Sequence, residues 1–267
     1  MTATFLLPLS GANICTASSG CEFWDGNYHE YTLYEVDTAQ VDVLIIPPAS
    51  PFATRDSETM RKAVEAWDAG IDALGASWFA DGLSIDAYVL GTDIPPQAAL
   101  LDPEIIIVGA EANPVLLFGI GEQGPASICR ARGGALATSP MHSHDGMKIM
   151  AAECADGGIT CVALNTNFLL GGVRRMYDLV AHEFGHCLGT GHVGDAMDFD
   201  AKTVPLQDIM SYQDNPNQVH CVSNLNVRSL EGIFAEAMGR PSSEFLAPGS
   251  YLTMAPSAYV QVSCPNP

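Results

Sequence analysis

The sequence predicts an α+β fold whose N-terminal part is α/β-like. Two observations lead to this prediction. Patterns typical of a strand, a helix and two further strands follow one another over residues 41–108, an order that builds a mainly parallel sheet with a crossover helix. A second predicted helix, over residues 172–188, carries a histidine-rich motif and directly follows another predicted strand, residues 160–165.

The three N-terminal strands are predicted from β-branched and apolar residues. Residues 41–46 and 85–90 have the composition of strands, and two prolines end the first of them. Residues 105–108 are wholly apolar, as expected for a strand that is buried on both faces. Residues 109–158 are rich in Gly, Pro and Ser and are predicted to be mainly loops.

Between the first two strands, an apolar stripe predicts an amphipathic helix that begins at Asp56 or Ser57 and ends at Gly75. The stripe recurs at steps of four and three residues and consists of Met60, Val64, Trp67, Ile71 and Leu74. This spacing puts the stripe on one face of the helix, so we expect it to lie in the core.

Length and charge restrict the function. A chain of 267 residues suffices for one globular domain with appendages. It carries 31 Asp and Glu against 11 Lys and Arg, a formal net charge of −20, which argues against nucleic acids and anionic membranes as partners. No apolar run approaches the roughly 18 residues of a membrane span. We expect an exported monomer whose signal segment is already absent; a cytosolic protein without a leader is the alternative.

The eight cysteines favour an oxidising compartment. They form an even set without a C-x-x-C pair, which is typical of disulfides in a secreted protein. Pairing them mainly by proximity along the chain gives Cys15 with Cys21, Cys154 with Cys161, Cys187 with Cys221, and Cys129 with Cys264.

The histidine-rich motif reads HExxHxxGxxH over residues 182–192. His182 and His186 are four residues apart, so a helix presents both imidazoles on one face to a single zinc ion. Gly189 can take the positive φ that ends a helix and lets the chain turn back to deliver His192 as a third ligand. A catalytic zinc uses three protein ligands and a water, and Glu183 can take a proton from that water. The motif therefore predicts metal-assisted hydrolysis.

Downstream of this motif, residues 208–212 contain a Met-x-Tyr pattern formed by Met210 and Tyr212. Together with the long zinc motif, this pattern resembles the metzincin clan of zinc endopeptidases. The residues around the helix are similar to those of the matrixins, and the Met-x-Tyr form is similar to astacins and serralysins. The resemblance implies a twisted mixed sheet, an active-site helix, and a methionine turn that places Met210 beneath the metal. It also implies that Tyr212 approaches the zinc and steadies the oxyanion.

The resemblance gives the strand before the zinc helix a role as well. In the family, this position is an antiparallel edge strand above the cleft, which binds an extended substrate by strand addition. An ordinary strand of the sheet is the alternative. The residues expected to contact substrate are Val162, Ala163, Leu164 and Asn165.

The predicted organisation has three parts. Residues 1–40 form an N-terminal extension, and residues 41–240 form the metzincin-like catalytic domain. Its upper subdomain is 41–189 and its smaller lower subdomain is 190–240, which ends in a helix. That helix begins at Ser223 or Ser229 and stops at Gly239. Residues 241–267 form a C-terminal strap that a disulfide could tether.

These predictions combine into a secreted zinc endopeptidase that cleaves protein or peptide substrates and binds one catalytic Zn²⁺. For His142, His144 and Asp145 there are two alternatives, a second, structural Zn²⁺ site and a solvated loop that binds no metal, and the latter is favoured because the ligand set is partial. A Ca²⁺ site among Asp195, Asp198 and Asp200 is a further alternative. The alternative function is a non-enzymatic extracellular binding module with a structural zinc. A structural zinc normally has four protein ligands, and this motif offers three and a glutamate.

Overall fold

We describe a computed structural model of the chain. The structure describes residues 24–27, 38–49, 51–74, 82–93, 103–109, 129–130, 142–144, 147–154, 159–165, 172–190, 193, 208–211, 219–234, 237–239, 251–254 and 259–264. The helices of this part of the chain are α1 (Ala53–Leu74), α2 (Gly172–Cys187) and α3 (Asn224–Ile233). The strands are β1 (Trp24–Asn27), β2 (Gln40–Ile46), β3 (Ser84–Val89), β4 (Ile105–Val108), β5 (Cys129–Arg130), β6 (His142–His144), β7 (Met147–Cys154), β8 (Ile159–Asn165), β9 (Val222–Ser223), β10 (Tyr251–Met254) and β11 (Gln261–Ser263).

The main sheet is mixed, in the order β3-β2-β4-β8-β7-β5, and β6 also pairs with β7. Strands β3, β2, β4 and β8 are parallel to one another, whereas β7 runs antiparallel to β8. Helix α1 connects β2 to the parallel strand β3. The predicted α+β class with a parallel N-terminal sheet is therefore confirmed.

Helix α1 packs on the sheet and against α2 through the predicted apolar stripe. Trp67 is fully buried, meets Phe184 of α2 edge to face at 6.4 Å, and donates its Nε1–H to the carbonyl of Ala181 at 2.9 Å. The helix begins at Ala53, one turn earlier than predicted, because the Ser57 hydroxyl donates to the Ala53 carbonyl inside the helix instead of capping it. Trp67 thus connects α1 by a hydrogen bond to Ala181, the residue just before His182.

The predicted role of the strand before α2 is wrong. Strand β8 lies between β4 and β7 and is not an edge strand. The backbones of Val162, Ala163 and Leu164 pair with β4 on one side and with β7 on the other. Asn165 at the end of the strand pairs with Met147. Because both sides of the strand are used within the sheet, these residues cannot accept an extended substrate by strand addition.

The predicted loop region also contains strands. Strand β7 covers eight residues, and β5 and β6 pair with its outer side. Strand β6 holds His142 and His144, which the sequence placed in a loop. The missed strand β7 contains lysine, glutamate and small alanines, which hide the apolar alternation of a strand.

Two of the predicted disulfides are wrong, because Cys221 pairs with Cys264 and so with neither Cys187 nor Cys129. Cys187 is also disulfide-bonded. The strand register sets Cys161 opposite Ala151, three residues from Cys154. That separation is about 10 Å, beyond the roughly 7 Å between the Cα atoms of a disulfide, so Cys154 with Cys161 is wrong too. Cys15 and Cys21 lie outside the described residues.

The C-terminal segments are extended and paired. Strand β11 pairs with β9, and β10 pairs with β1 of the predicted N-terminal extension, both in antiparallel fashion. Helix α3 begins after Ser223, whose hydroxyl and backbone exchange hydrogen bonds with Asn226 in a reciprocal cap. The helix ends at Ile233, earlier than predicted, and Gly239 follows in a turn with a φ of 70°.

Candidate metal centre

Two of the three predicted zinc ligands lie side by side on the inner face of α2. His186 is fully buried and His182 is 7 % exposed. The Nδ1 of His182 lies 2.7 Å from the carbonyl of Ile209, and the Nδ1 of His186 lies 2.8 Å from the carbonyl of Thr190. A carbonyl oxygen only accepts, so both Nδ1 atoms carry a proton, and each ring in its neutral form has a lone pair on Nε2.

The two Nε2 atoms point towards each other at 3.2 Å, with their ring planes at 85°. Two nitrogens that bind one tetrahedral zinc at about 2.0–2.1 Å are about 3.3 Å apart. Two facing lone pairs at this distance repel each other unless a proton or a cation lies between them. The donor set and its spacing therefore fit a zinc ion.

The turn that ends α2 also orients His186. Gly189 has a φ of 94°, as predicted, and its N–H donates to the His186 carbonyl at 2.9 Å. The N–H of Thr190 donates to the Gly185 carbonyl at 3.0 Å, which completes a Schellman motif. Because the carbonyl of Thr190 then accepts from His186 Nδ1, the helix cap and the ligand orientation form one unit.

The methionine turn, residues 208–211, lies against the same part of α2. Its Ile209 carbonyl accepts from His182 Nδ1, and its Met210 carbonyl accepts the N–H of Val193 at 2.7 Å. Val193 immediately follows His192, which itself lies outside the described residues, as does Tyr212. Successive carbonyls of one turn thus hold the first histidine and the residue next to the third.

Met210 is fully buried beneath α2. Gly185, between the two histidines, leaves room for it, because a Cβ at this position would clash with Met210 Sδ and would lie 2.5 Å from Trp67 Cζ2. The methionine side chain thus contacts the backbone of the helix directly between the two candidate ligands.

Glu183 is fully buried, and neither of its carboxylate oxygens has a hydrogen-bond partner among the residues that the structure describes. Burial raises the pKa of this carboxyl to about 8. A buried carboxyl without partners is costly, so such a group usually has a functional partner such as a metal, a water or a substrate. A dication beside it would favour the charged form and lower this pKa.

Asp208 is a residue that the sequence argument did not single out as part of this site. Its buried carboxylate accepts from the N–H of Met210 at 2.8 Å and thereby closes the methionine turn. An Asp two residues before the methionine is typical of an Asx-turn, and this pattern was the available signal.

The candidate sites for a second metal lie mostly outside the described residues. His142 and His144 lie at alternate positions of β6, but Asp145 and the segment 195–200 lie outside the described residues. Within the described part of the chain, no three His, Cys, Asp or Glu side chains cluster as metal ligands.

The helices that the structure describes include none with the length and apolar composition of a membrane span. The chain matches no protein-family model and no curated protein.

Proposed function

We propose that the chain is a secreted zinc-dependent endopeptidase of the metzincin type. The observation that carries this proposal is the pair of Nε2 atoms 3.2 Å apart, with Glu183 on the same helix, buried and without a hydrogen-bond partner among the described residues. Both Nδ1 atoms are engaged by backbone carbonyls, which is the usual outer support of zinc-binding histidines.

His182 and His186 would hold the zinc, and His192 would be the third protein ligand. The N–H of Val193, the residue that follows His192, donates to the Met210 carbonyl of the methionine turn, which supports this assignment. When bound, the zinc supplies a Lewis acid that polarises a carbonyl group and lowers the pKa of a bound water to about 7.

Glu183 would act as the general base. Its carboxylate takes a proton from the attacking water and gives the same proton to the amine that leaves when the peptide bond breaks. Its burial excludes bulk water from the proton transfer. Tyr212 would donate a hydrogen bond to the developing oxyanion, an interaction of a type worth about 10²–10³ in rate.

The test compares Glu183→Gln with Glu65→Gln, an exposed position on α1. The wild type and both variants are loaded with zinc, their metal content is measured, and each is incubated with a fluorogenic peptide library. We expect one zinc per chain in all three proteins, with cleavage by the wild type and Glu65→Gln and a loss of at least about 10²-fold in Glu183→Gln.

Two results would contradict the proposal. A wild type that binds no zinc would remove the metal centre. A wild type that binds zinc and cleaves nothing would favour the binding module with a structural metal.

A further inference from the structure

We propose that residues 259–264, a described part of the C-terminal strap, are a positioning element of the metal centre, and that Tyr259 of the strap and Asp208 of the methionine turn are positioning residues. The proposal rests on the proposed function, because it takes His182 and His186 as the metal ligands. It adds that the orientation of His182 depends on a segment that lies 77 to 82 residues further along the chain.

Asp208 connects the strap to the methionine turn. Its carboxylate is fully buried and receives four hydrogen bonds: from the Tyr259 hydroxyl at 3.0 Å, the Ser223 hydroxyl at 2.5 Å, the Asn226 amide at 2.9 Å and the Met210 N–H at 2.8 Å. Three of these donors come from α3, its cap or the strap, and the fourth belongs to the turn itself. A buried acid of this kind is held in place by its donors, and losing one leaves lone pairs unsatisfied.

The position of the turn determines the orientation of His182. The Asp208 carboxylate accepts the N–H of Met210. This N–H belongs to the same peptide group as the Ile209 carbonyl, which accepts from His182 Nδ1. A shift of this carbonyl would rotate the imidazole and move its Nε2 away from that of His186. Outer partners of this kind typically affect metal affinity by about 10–100-fold.

The strap has a second, covalent attachment, to a residue that is hydrogen-bonded to the same turn. Cys264 forms a disulfide with Cys221, whose backbone carbonyl accepts the N–H of Ile209 at 2.8 Å. Ile209 is therefore held through its N–H by the disulfide-bonded residue, while its carbonyl holds His182. Between the two attachments, Val260 and Asn224 exchange hydrogen bonds of 2.9 and 3.0 Å.

The strap contributes these polar and covalent attachments more than it contributes to the core. Val260 is 55 % exposed, Cys264 is exposed, and Gln261, Val262 and Ser263 are half-buried. Tyr259 points its hydroxyl inwards, and burial together with the charge of Asp208 raises its pKa, so the phenol stays a neutral donor. The attachments to Asp208, Asn224 and Cys221 therefore explain the placement of the strap better than core packing does.

The test uses Tyr259→Phe, which removes one hydroxyl, and Tyr88→Phe on β3 as the matched control. Zinc affinity is measured by competition with a chromogenic chelator, and the Co²⁺-substituted proteins are compared by their visible absorption bands. We expect Tyr259→Phe to bind zinc about 10-fold more weakly, with altered Co²⁺ bands and a fall in kcat at nearly constant KM. Tyr88→Phe should match the wild type in all of these.

The double variant Cys221→Ser/Cys264→Ser removes the covalent attachment and should weaken zinc binding in the same direction. If the wild type and Tyr259→Phe bind zinc equally and give the same Co²⁺ bands, the strap has a structural role only and the inference is wrong, while the proposed function stands. If the wild type binds no zinc, both fail.

Discussion

Gly185→Ala tests the packing of the methionine turn against helix α2. An ideal Cβ at residue 185 would lie 2.5 Å from Trp67 Cζ2 and 2.9 Å from Trp67 Cη2, and it would also clash with Met210 Sδ. Carbon atoms in contact normally lie about 3.5–4.0 Å apart, so the tryptophan ring or the methionine must move by about 1 Å.

The cost can be worked out from two opposing effects. Overpacking of a core costs about 1–3 kcal/mol, and replacing a helical glycine by alanine recovers about 0.5–1 kcal/mol. The net loss in the free energy of unfolding therefore lies between about 0 and 2.5 kcal/mol and is centred on about 1 kcal/mol. Displacement of Met210 would also move the Ile209 carbonyl, so zinc affinity should fall by about 10-fold.

Urea unfolding with intact disulfides measures the loss of stability, and chelator competition measures zinc affinity. Gly70→Ala on α1 is the control, because its Cβ would meet one methyl group, Val222 Cγ1, at 3.1 Å. We expect this variant to stay within about 0.5 kcal/mol of the wild type, since the gain in helix propensity offsets the tight contact. A Gly185→Ala protein as stable as the wild type, with unchanged zinc affinity, would refute the packing argument.

Two further predictions concern charge and metal. Burial and the neighbouring Asp86 raise the pKa of Asp42. The folded state therefore binds more protons at this group than the unfolded state, and the contribution of Asp42 to stability falls as the pH rises from about 3.8 through the raised pKa. Asp42→Asn should therefore stabilise the protein at pH 7 and lose this advantage near pH 3 in urea titrations; an equal effect at both pH values would contradict the argument. Zinc at about 100 times its dissociation constant should raise the free energy of unfolding by about 2.7 kcal/mol, and His186→Ala should abolish this response. A full response in His186→Ala would remove that histidine from the ligand set.

Local patterns in the sequence were sufficient for several elements. The apolar run of β4, the stripe of α1 and the positive φ of Gly189 are each set by residues close in sequence, and all three predictions are confirmed. The helix start at Asp56 or Ser57 was wrong, because a serine hydroxyl can cap a helix or bond back inside it, and the sequence does not distinguish these.

Features that depend on distant pairings were not predictable in this way. Nothing within residues 160–165 indicates which strands lie on either side of β8, so its edge position was inferred from resemblance and was wrong. The predicted pairs that involved Cys221 and Cys264 failed for the same reason, since these two cysteines bond to each other and are 43 residues apart.

In the candidate site, too, local features were predicted and features that depend on distant residues were not. The spacing of His182 and His186 follows from the helix period, whereas the carbonyls of Ile209 and Thr190 that fix their tautomers follow from tertiary structure. Asp208 was missed because the side-chain donors around it come from residues 223, 226 and 259.

The metal centre is tested most directly by anomalous diffraction at the zinc absorption edge from crystals of the zinc-loaded protein. The account predicts a single strong peak about 2.0–2.1 Å from the Nε2 atoms of both His182 and His186. A zinc-loaded crystal with no peak between these two nitrogens would contradict it.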